Sequence, residues 1–151
     1  ARVAIEAPES KRSIAEMNAA FERRRDFVVD ALNAMPGVTC QKPSGAFYVF
    51  PNIAGVVENL GIAKAFAALP DAVKATTSPS TLFQMFLLWE YCVATMDRKS
   101  FGQIGAADMH FLRLSIATGM EDLQVGMERM ARAVNDKAGF DAFIEAGEHF
   151  S

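Results

Sequence analysis

The chain predicts an α+β domain, with helices packed on a small antiparallel or mixed sheet. Three observations carry this. A long amphipathic run opens the chain; short aromatic and β-branched segments at 46–50 and 111–116 have strand character; and the order is helix, two strands, mixed insertion, helix, strand, strand, helix, with no internal repeat. With 151 residues, 51% hydrophobic and 22% charged, the length suits one core, so residues 1–151 are expected to form a single domain.

From Ser10 to Met35, Ile14, Met17, Phe21, Val28, Ala31, Leu32 and Met35 recur at three- and four-residue steps, the apolar stripe of a helix. Met35-Pro36-Gly37 stops it, because proline lacks a backbone donor and glycine tolerates the following turn. Val38-Thr39-Cys40 and Ala46-Phe47-Tyr48-Val49-Phe50 predict short strands around the Lys42–Gly45 turn. Residues 53–81 are weakly patterned, with a helical piece at Ile62–Leu69 and a breaker-rich loop at 76–80. A second apolar helix is expected from Thr81 to Tyr91, capped by Ser80 and leading into strand-like Cys92–Thr95. Asp97–Asp108 is expected to be loop and Phe111–Ile116 a strand. Thr118 and Glu121 have capping-box spacing ahead of a helix to Asn135 whose stripe is Leu123, Met127, Met130 and Val134. A weaker helix should cover 138–149.

A formal charge of -3 and a pI near 5.4 provide no electrostatic drive toward nucleic acid or an anionic membrane, and neither partner is expected. No stretch is long and apolar enough to span a bilayer, so the protein is expected to be soluble. Cys40 and Cys92 lie in apolar surroundings and are expected to be buried free thiols of a cytoplasmic protein. His110 and His149 are far apart and lack metal-ligand spacing, so no metal is expected. Phosphate-loop glycines and a Ser-His-Asp ordering are not evident. Ala1–Glu6 reads like the interior of an ordered segment, with the expectation that this is part of a longer protein.

Arg113 stands out because it interrupts an apolar strand. Burying a guanidinium there is costly unless an anion meets it. On the local residues alone, an internal ion pair or a solvent-facing side chain is a commoner explanation than a ligand contact.

The wider sequence alters that weighting. In order it carries Phe21-Glu22-Arg23-Arg24-Arg25-Asp26, Leu32-Asn33-Ala34-Met35-Pro36-Gly37-Val38 and Pro43-Ser44-Gly45-Ala46-Phe47-Tyr48-Val49-Phe50-Pro51. Leu87-Leu88-Trp89-Glu90-Tyr91-Cys92-Val93-Ala94, Ser100-Phe101-Gly102 and Leu112-Arg113-Leu114-Ser115-Ile116-Ala117 follow. Together these resemble the C-terminal, smaller domain of the aspartate-aminotransferase-like family of fold type I pyridoxal-phosphate enzymes. Each fragment alone is weak, but their shared order and spacing span nearly the whole chain.

The resemblance implies that Arg113 makes a forked contact with the substrate's α-carboxylate and that Phe47 lines the carboxylate side of the pocket. A planar guanidinium suits that task, since two parallel donors fix orientation as well as charge. Phe47 also has a plain reading as a core aromatic, and Gly45 is assigned to the turn. Where the family usually has Pro-Gly, this chain has Asp97-Arg98 ahead of Lys99; Arg98 and Lys99 are either cations near an anion site or a solvated turn.

The resemblance also implies that the parent uses pyridoxal phosphate, moves an amino group between an amino acid and a 2-oxo acid, and forms a homodimer. Its cofactor lysine and phosphate cup belong to a larger domain. None of Lys11, Lys42, Lys64, Lys74, Lys99 or Lys137 stands in the family's Ser-Lys context, so this part is expected neither to bind the cofactor nor to catalyse alone. A lyase or synthase on the same scaffold, or a non-catalytic regulator with an aminotransferase-like domain, would share these features. Cutting away the larger domain should expose apolar surface on the first helix and the Phe47 strand.

Overall fold

The first helix, α1 (Pro8–Asn33), has proline at its first turn, where no amide partner is lost, and Glu9 beside the partly positive helix end. The computed structural model describes residues 7–102 and 109–147. The expectations for Ala1–Glu6, for His149 and for parts of the 97–108 loop and the last helix lie outside those residues. After Ala34 the chain turns through Gly37, whose φ is +78°. A Cβ there would lie 2.5 Å from the Gly55 carbonyl carbon, so two backbones meet where a side chain cannot fit.

Only the C-terminal half of α1 behaves as the stripe predicts. Val28, Val29, Leu32 and Met35 are buried, whereas Ile14 and Met17 are 51% and 50% exposed. Periodicity identifies a face that is apolar; whether that face is covered depends on what lies opposite, and among the described residues nothing seals the N-terminal turns.

The sheet has three short strands: β1 (Tyr48–Val49), β2 (Met96–Asp97) and β3 (Leu112–Ser115). Their order is β1-β3-β2 and both pairings are antiparallel, confirming the α+β class. Tyr48 pairs with Ser115 and Val49 with Leu114, while Met96 pairs with Arg113 and Asp97 with Leu112. The strands are shorter than expected: Thr39 and Phe111 make only single bridges, both to Asn52. Cys92–Thr95 forms no strand. Cys92 instead caps the preceding helix in a left-handed conformation (φ 53°) and is exposed, correcting the expectation of two buried thiols; Cys40 is buried. Val93 meets its apolar requirement by burial, and its N–H returns to the Leu87 carbonyl at 2.9 Å.

The weakly patterned insertion folds as three short helices, α2 (Ala54–Asn59), α3 (Ile62–Ala68) and α4 (Asp71–Thr76). The next helix, α5 (Pro79–Tyr91), starts earlier than expected and is capped by Ser78, not Ser80. Pro79 explains the shift, since it occupies the first helical position without wasting an amide. Ser78 and Thr81 cap reciprocally: Thr81 N donates to Ser78 Oγ at 3.1 Å and Ser78 N to Thr81 Oγ1 at 3.0 Å.

Helix α6 (Met120–Ala133) is capped by Gly119, one residue beyond the expected Thr118, with no side-chain cap. The shift puts Asp122 at the third helical position, and Thr118 donates to its carboxylate at 2.7 Å. The α6 stripe is as expected, with Leu123, Met127, Met130 and Val134 all buried. Asp136 caps α7 (Lys137–Ala146), accepting from Gly139 N at 2.9 Å. An aromatic cluster joins α5 and α7: the buried Phe86 ring lies 5.4 Å from Tyr91, 5.4 Å from Phe140 and 5.6 Å from Phe143.

Candidate functional site

The two-residue period of β3 separates its chemistry by face. Leu112, Leu114 and Ile116 turn into the core, while Arg113 and Ser115 share the opposite side with their cross-strand partners Met96 and Tyr48. That side is open and aromatic: Tyr48, Phe50 and Phe101 are 38%, 37% and 42% exposed. Arg113 is half-buried in it.

Among the described residues neither commoner explanation for Arg113 is seen. The ion pairs among the described residues join Arg12 to Glu16, Arg25 and Lys42 to Asp26, Lys74 to Asp71, and Lys137 to Asp141; Arg113 takes part in none. Nor does it extend freely into solvent. Its Cζ lies 4.2 Å from the Tyr48 ring centroid and 5.2 Å from that of Phe101. Ring faces attract a cation but leave the in-plane N–H groups available, which suits an arginine that holds its position while awaiting an acceptor.

Phe47 stands one ring further away. It meets Tyr48 edge-to-face at 5.5 Å and, being half exposed, is not the core aromatic of its plainer reading. It lines a groove with Met17, Phe21 and Gly45 on the α1 side. A larger groove of about 880 Å³ lies on the other flank, walled by the 39–46 segment and by Tyr48, Phe50 and Phe111. Tyr48 is thus shared between this groove and the Arg113 contact.

The 3₁₀ turn Arg98–Phe101 brings Phe101 to the arginine, and its cations are otherwise engaged. Lys99 Nζ donates to the Ala75 and Thr77 carbonyls at 2.8 and 2.9 Å, at the end of α4, where carbonyls lack helical partners. Arg98 donates to the Gly102 carbonyl at 3.2 Å. Both therefore tie down the turn. The missing family glycine does not force strain: Arg98, which stands in its place, opens the 3₁₀ turn and is not among the residues with positive φ.

Sequence reasoning singles out Arg113 and Phe47 but not Tyr48 and Phe101, the rings that flank the guanidinium, nor Asp97, which caps the turn carrying Phe101. Strand parity could have found Tyr48. Asp97-x-x-Ser100, a capping spacing, could have found the turn. Among the described residues no cluster of three or more His, Cys, Asp or Glu side chains has metal-site geometry, and no helix is long and apolar enough to cross a membrane.

The sequence profile described as aminotransferase class I and II matches residues 1–130. A protein of Aquifex aeolicus named as a probable aspartate/prephenate aminotransferase is 37% identical over 133 residues, covering 88% of this chain and 28% of that protein. Aspartate aminotransferase of Pyrococcus horikoshii is 32% identical over 87% of this chain and 28% of its own length. Among solved structures, aspartate aminotransferase of Rhizobium meliloti superposes with a TM-score of 0.65 at 31% identity, over 88% of this chain and 29% of that one. An aromatic aminotransferase of Pyrococcus horikoshii gives 0.67 at 31% identity, over 90% and 30%. The chain spans less than a third of the length of these relatives.

Proposed function

Since the chain belongs to the class I and II aminotransferase family, we propose that it is the smaller, C-terminal domain of an enzyme exchanging an amino group between an amino acid and a 2-oxo acid, and that Arg113 grips the substrate carboxylate. The observation that carries this is a half-buried guanidinium on the central strand, flanked by two rings and joined to no carboxylate among the described residues.

Two substrate types share the site in such a reaction, and both bear a carboxylate beside the reacting carbon. A guanidinium fork binding that group fixes two oxygens, leaving rotation about the remaining bond as the main freedom to be settled elsewhere. Tyr48 and Phe101 limit the swing of the fork, while Phe47 forms an apolar wall next to Tyr48 that keeps water from the carboxylate side. Strand β3, paired on both edges, gives the arginine a rigid base.

Pyridoxal phosphate, which the family implies, supplies the electron sink for chemistry at the α-carbon when bound. The lysines here do not fit its attachment. Lys42, Lys74 and Lys137 are held in ion pairs at 2.8, 2.9 and 2.7 Å, Lys99 is held as a donor to two carbonyls, and Lys11 and Lys64 are exposed on helices. None offers the desolvated, unengaged amine that attachment needs. The attachment is accordingly assigned to the remainder of the enzyme, and the isolated chain is expected to show neither transamination nor visible-range absorbance with added cofactor.

The test is steady-state kinetics of the full-length protein with L-aspartate or L-phenylalanine as amino donor and 2-oxoglutarate as acceptor. Arg113→Lys keeps the charge but loses the fork, and should cost roughly 2–3 kcal/mol, or about 30- to 150-fold in kcat/KM. An R113K enzyme with wild-type constants for both substrates would remove the arginine from this role.

A further inference from the structure

We infer that Asp97 is a positioning residue for the substrate-binding arginine, setting the site's geometry through the turn that carries Phe101. This rests on the reading of Arg113 above. Asp97 is only 4% exposed, and among the described residues it forms no ion pair. A carboxylate in that position persists only if several donors replace its water.

Those donors come from two directions. Thr81 Oγ1 donates to Oδ2 at 2.5 Å, from the first turn of α5. Ser100 donates to Oδ1 through its N–H at 3.0 Å and through its hydroxyl. The Asp97 N–H completes the anchorage, donating to Gln84 Oε1 at 3.1 Å. One side chain thus joins the α5 cap to the 3₁₀ turn.

Hydroxyl protons can be followed along this network. Thr81 has one, committed to Asp97, so of the 2.9 Å pair between Ser78 Oγ and Thr81 Oγ1 it is Ser78 that donates. Thr81 Oγ1 also accepts from Ser78 N, and Ser78 Oγ accepts from Thr81 N, so both hydroxyls use donor and acceptor capacity. An acceptor-only group at 97 is needed for this orientation; an amide there would present N–H₂ to one of the two hydroxyls.

The mechanical outcome lies at the arginine. Asp97 pairs with Leu112 and Met96 with Arg113, so fixing Asp97 fixes the β2 edge beside the arginine. Capping by Asp97 directs the next residues through the turn and places the Phe101 ring 5.2 Å from the guanidinium carbon. The Asp97-Arg98 pair thereby does by hydrogen bonding what a glycine turn does by backbone freedom, and ties the arginine's surroundings to α5.

The experiment is a kinetic cycle in the full-length protein, using whichever of L-aspartate and L-phenylalanine it turns over. Asp97→Asn should raise the KM for the amino donor roughly tenfold, the size of one lost charge-assisted hydrogen bond, with kcat changed less than about threefold. Asp97→Ser keeps a cap for Ser100 N and should restore part of the loss. On an Arg113→Ala background, D97N should raise KM no further, because the group it positions is gone. If D97N fails to fold, Ser100→Ala carries the test: it removes one donor, leaves the carboxylate, and should raise KM about threefold in wild type and not at all with R113A.

Equal KM effects with and without Arg113, or no KM effect in wild type, would overturn the positioning role. A normal KM in R113A itself would instead bring down the arginine reading, so the two failures are told apart.

Discussion

The two sides of β3 are made by alternate residues of the same short strand, yet they answer to different demands. Leu112, Leu114 and Ile116 are 0%, 5% and 0% exposed against the helices, whereas Arg113 sits where Tyr48, Met96 and Phe101 are 38%, 44% and 42% exposed. The inner side gains from excluding water and is finished. The outer side keeps apolar rings and a cation open together, the character of a surface available to a ligand or partner. Substitutions on the inner side should therefore be felt in folding, and those on the outer side in binding and association.

The sharpest way to break this division is in the aromatic cluster behind the inner side. Phe86→Ala removes a fully buried ring touching Phe83, Tyr91, Phe140 and Phe143, and should destabilise the chain by about 3–5 kcal/mol in urea denaturation. A loss under about 1 kcal/mol would mean that the cluster can collapse into the void and that the inner side is looser than its burial indicates.

A smaller effect is expected at the margin of the same core. Tyr91 donates to Asp136 at 2.7 Å, and burial together with this bond pushes the phenol up to about 12 from an ordinary value near 10. A raised phenol stabilises the fold fully below its unfolded value, and that contribution disappears as pH rises from about 10 through about 12. Asp136 is shifted down, first by the same hydrogen bond, so its contribution is present above the normal carboxylate range and is lost as acid protonates it. Tyr91→Phe should cost about 1 kcal/mol near neutral pH and flatten both limbs of the stability profile. Parallel profiles for wild type and Y91F would show the bond to be idle.

The smallest stability change belongs to the exposed Phe47 beside α1. Phe47→Ser should alter the unfolding free energy by no more than about 0.5 kcal/mol. Sedimentation velocity, however, should show weaker self-association of the isolated chain, since Phe47 is half exposed beside the exposed Met17. Unchanged association in F47S would locate the adhesive surface elsewhere.

Much of this architecture was legible in the residues. The α6 stripe was read without error because all four of its members find partners within the chain. Ile14 and Met17 obey the same periodicity in α1 but remain uncovered, because periodicity does not say which surface completes a face. Helix starts were misplaced by local competition. Pro79 moved the α5 cap to Ser78, and the Gly119 start left Thr118 bonding to Asp122 rather than to a backbone amide.

Arg113 was legible as an anomaly in an apolar strand. Its neighbours were harder to see, since Phe101 reaches it through a turn whose shape depends on hydroxyls from a different helix. Cys92 was misjudged because a left-handed helix end overrides the apolar character of its surroundings.

Helix α1 has 26 residues and its packing against the core begins at Phe21, so the turns before it extend about 20 Å. That makes it a lever with a short fulcrum. A tilt of about 10° at the buried end would sweep the tip through roughly 3.5 Å. A surface that covered Ile14 and Met17 would hold this arm near its tip, far from the end that the core holds.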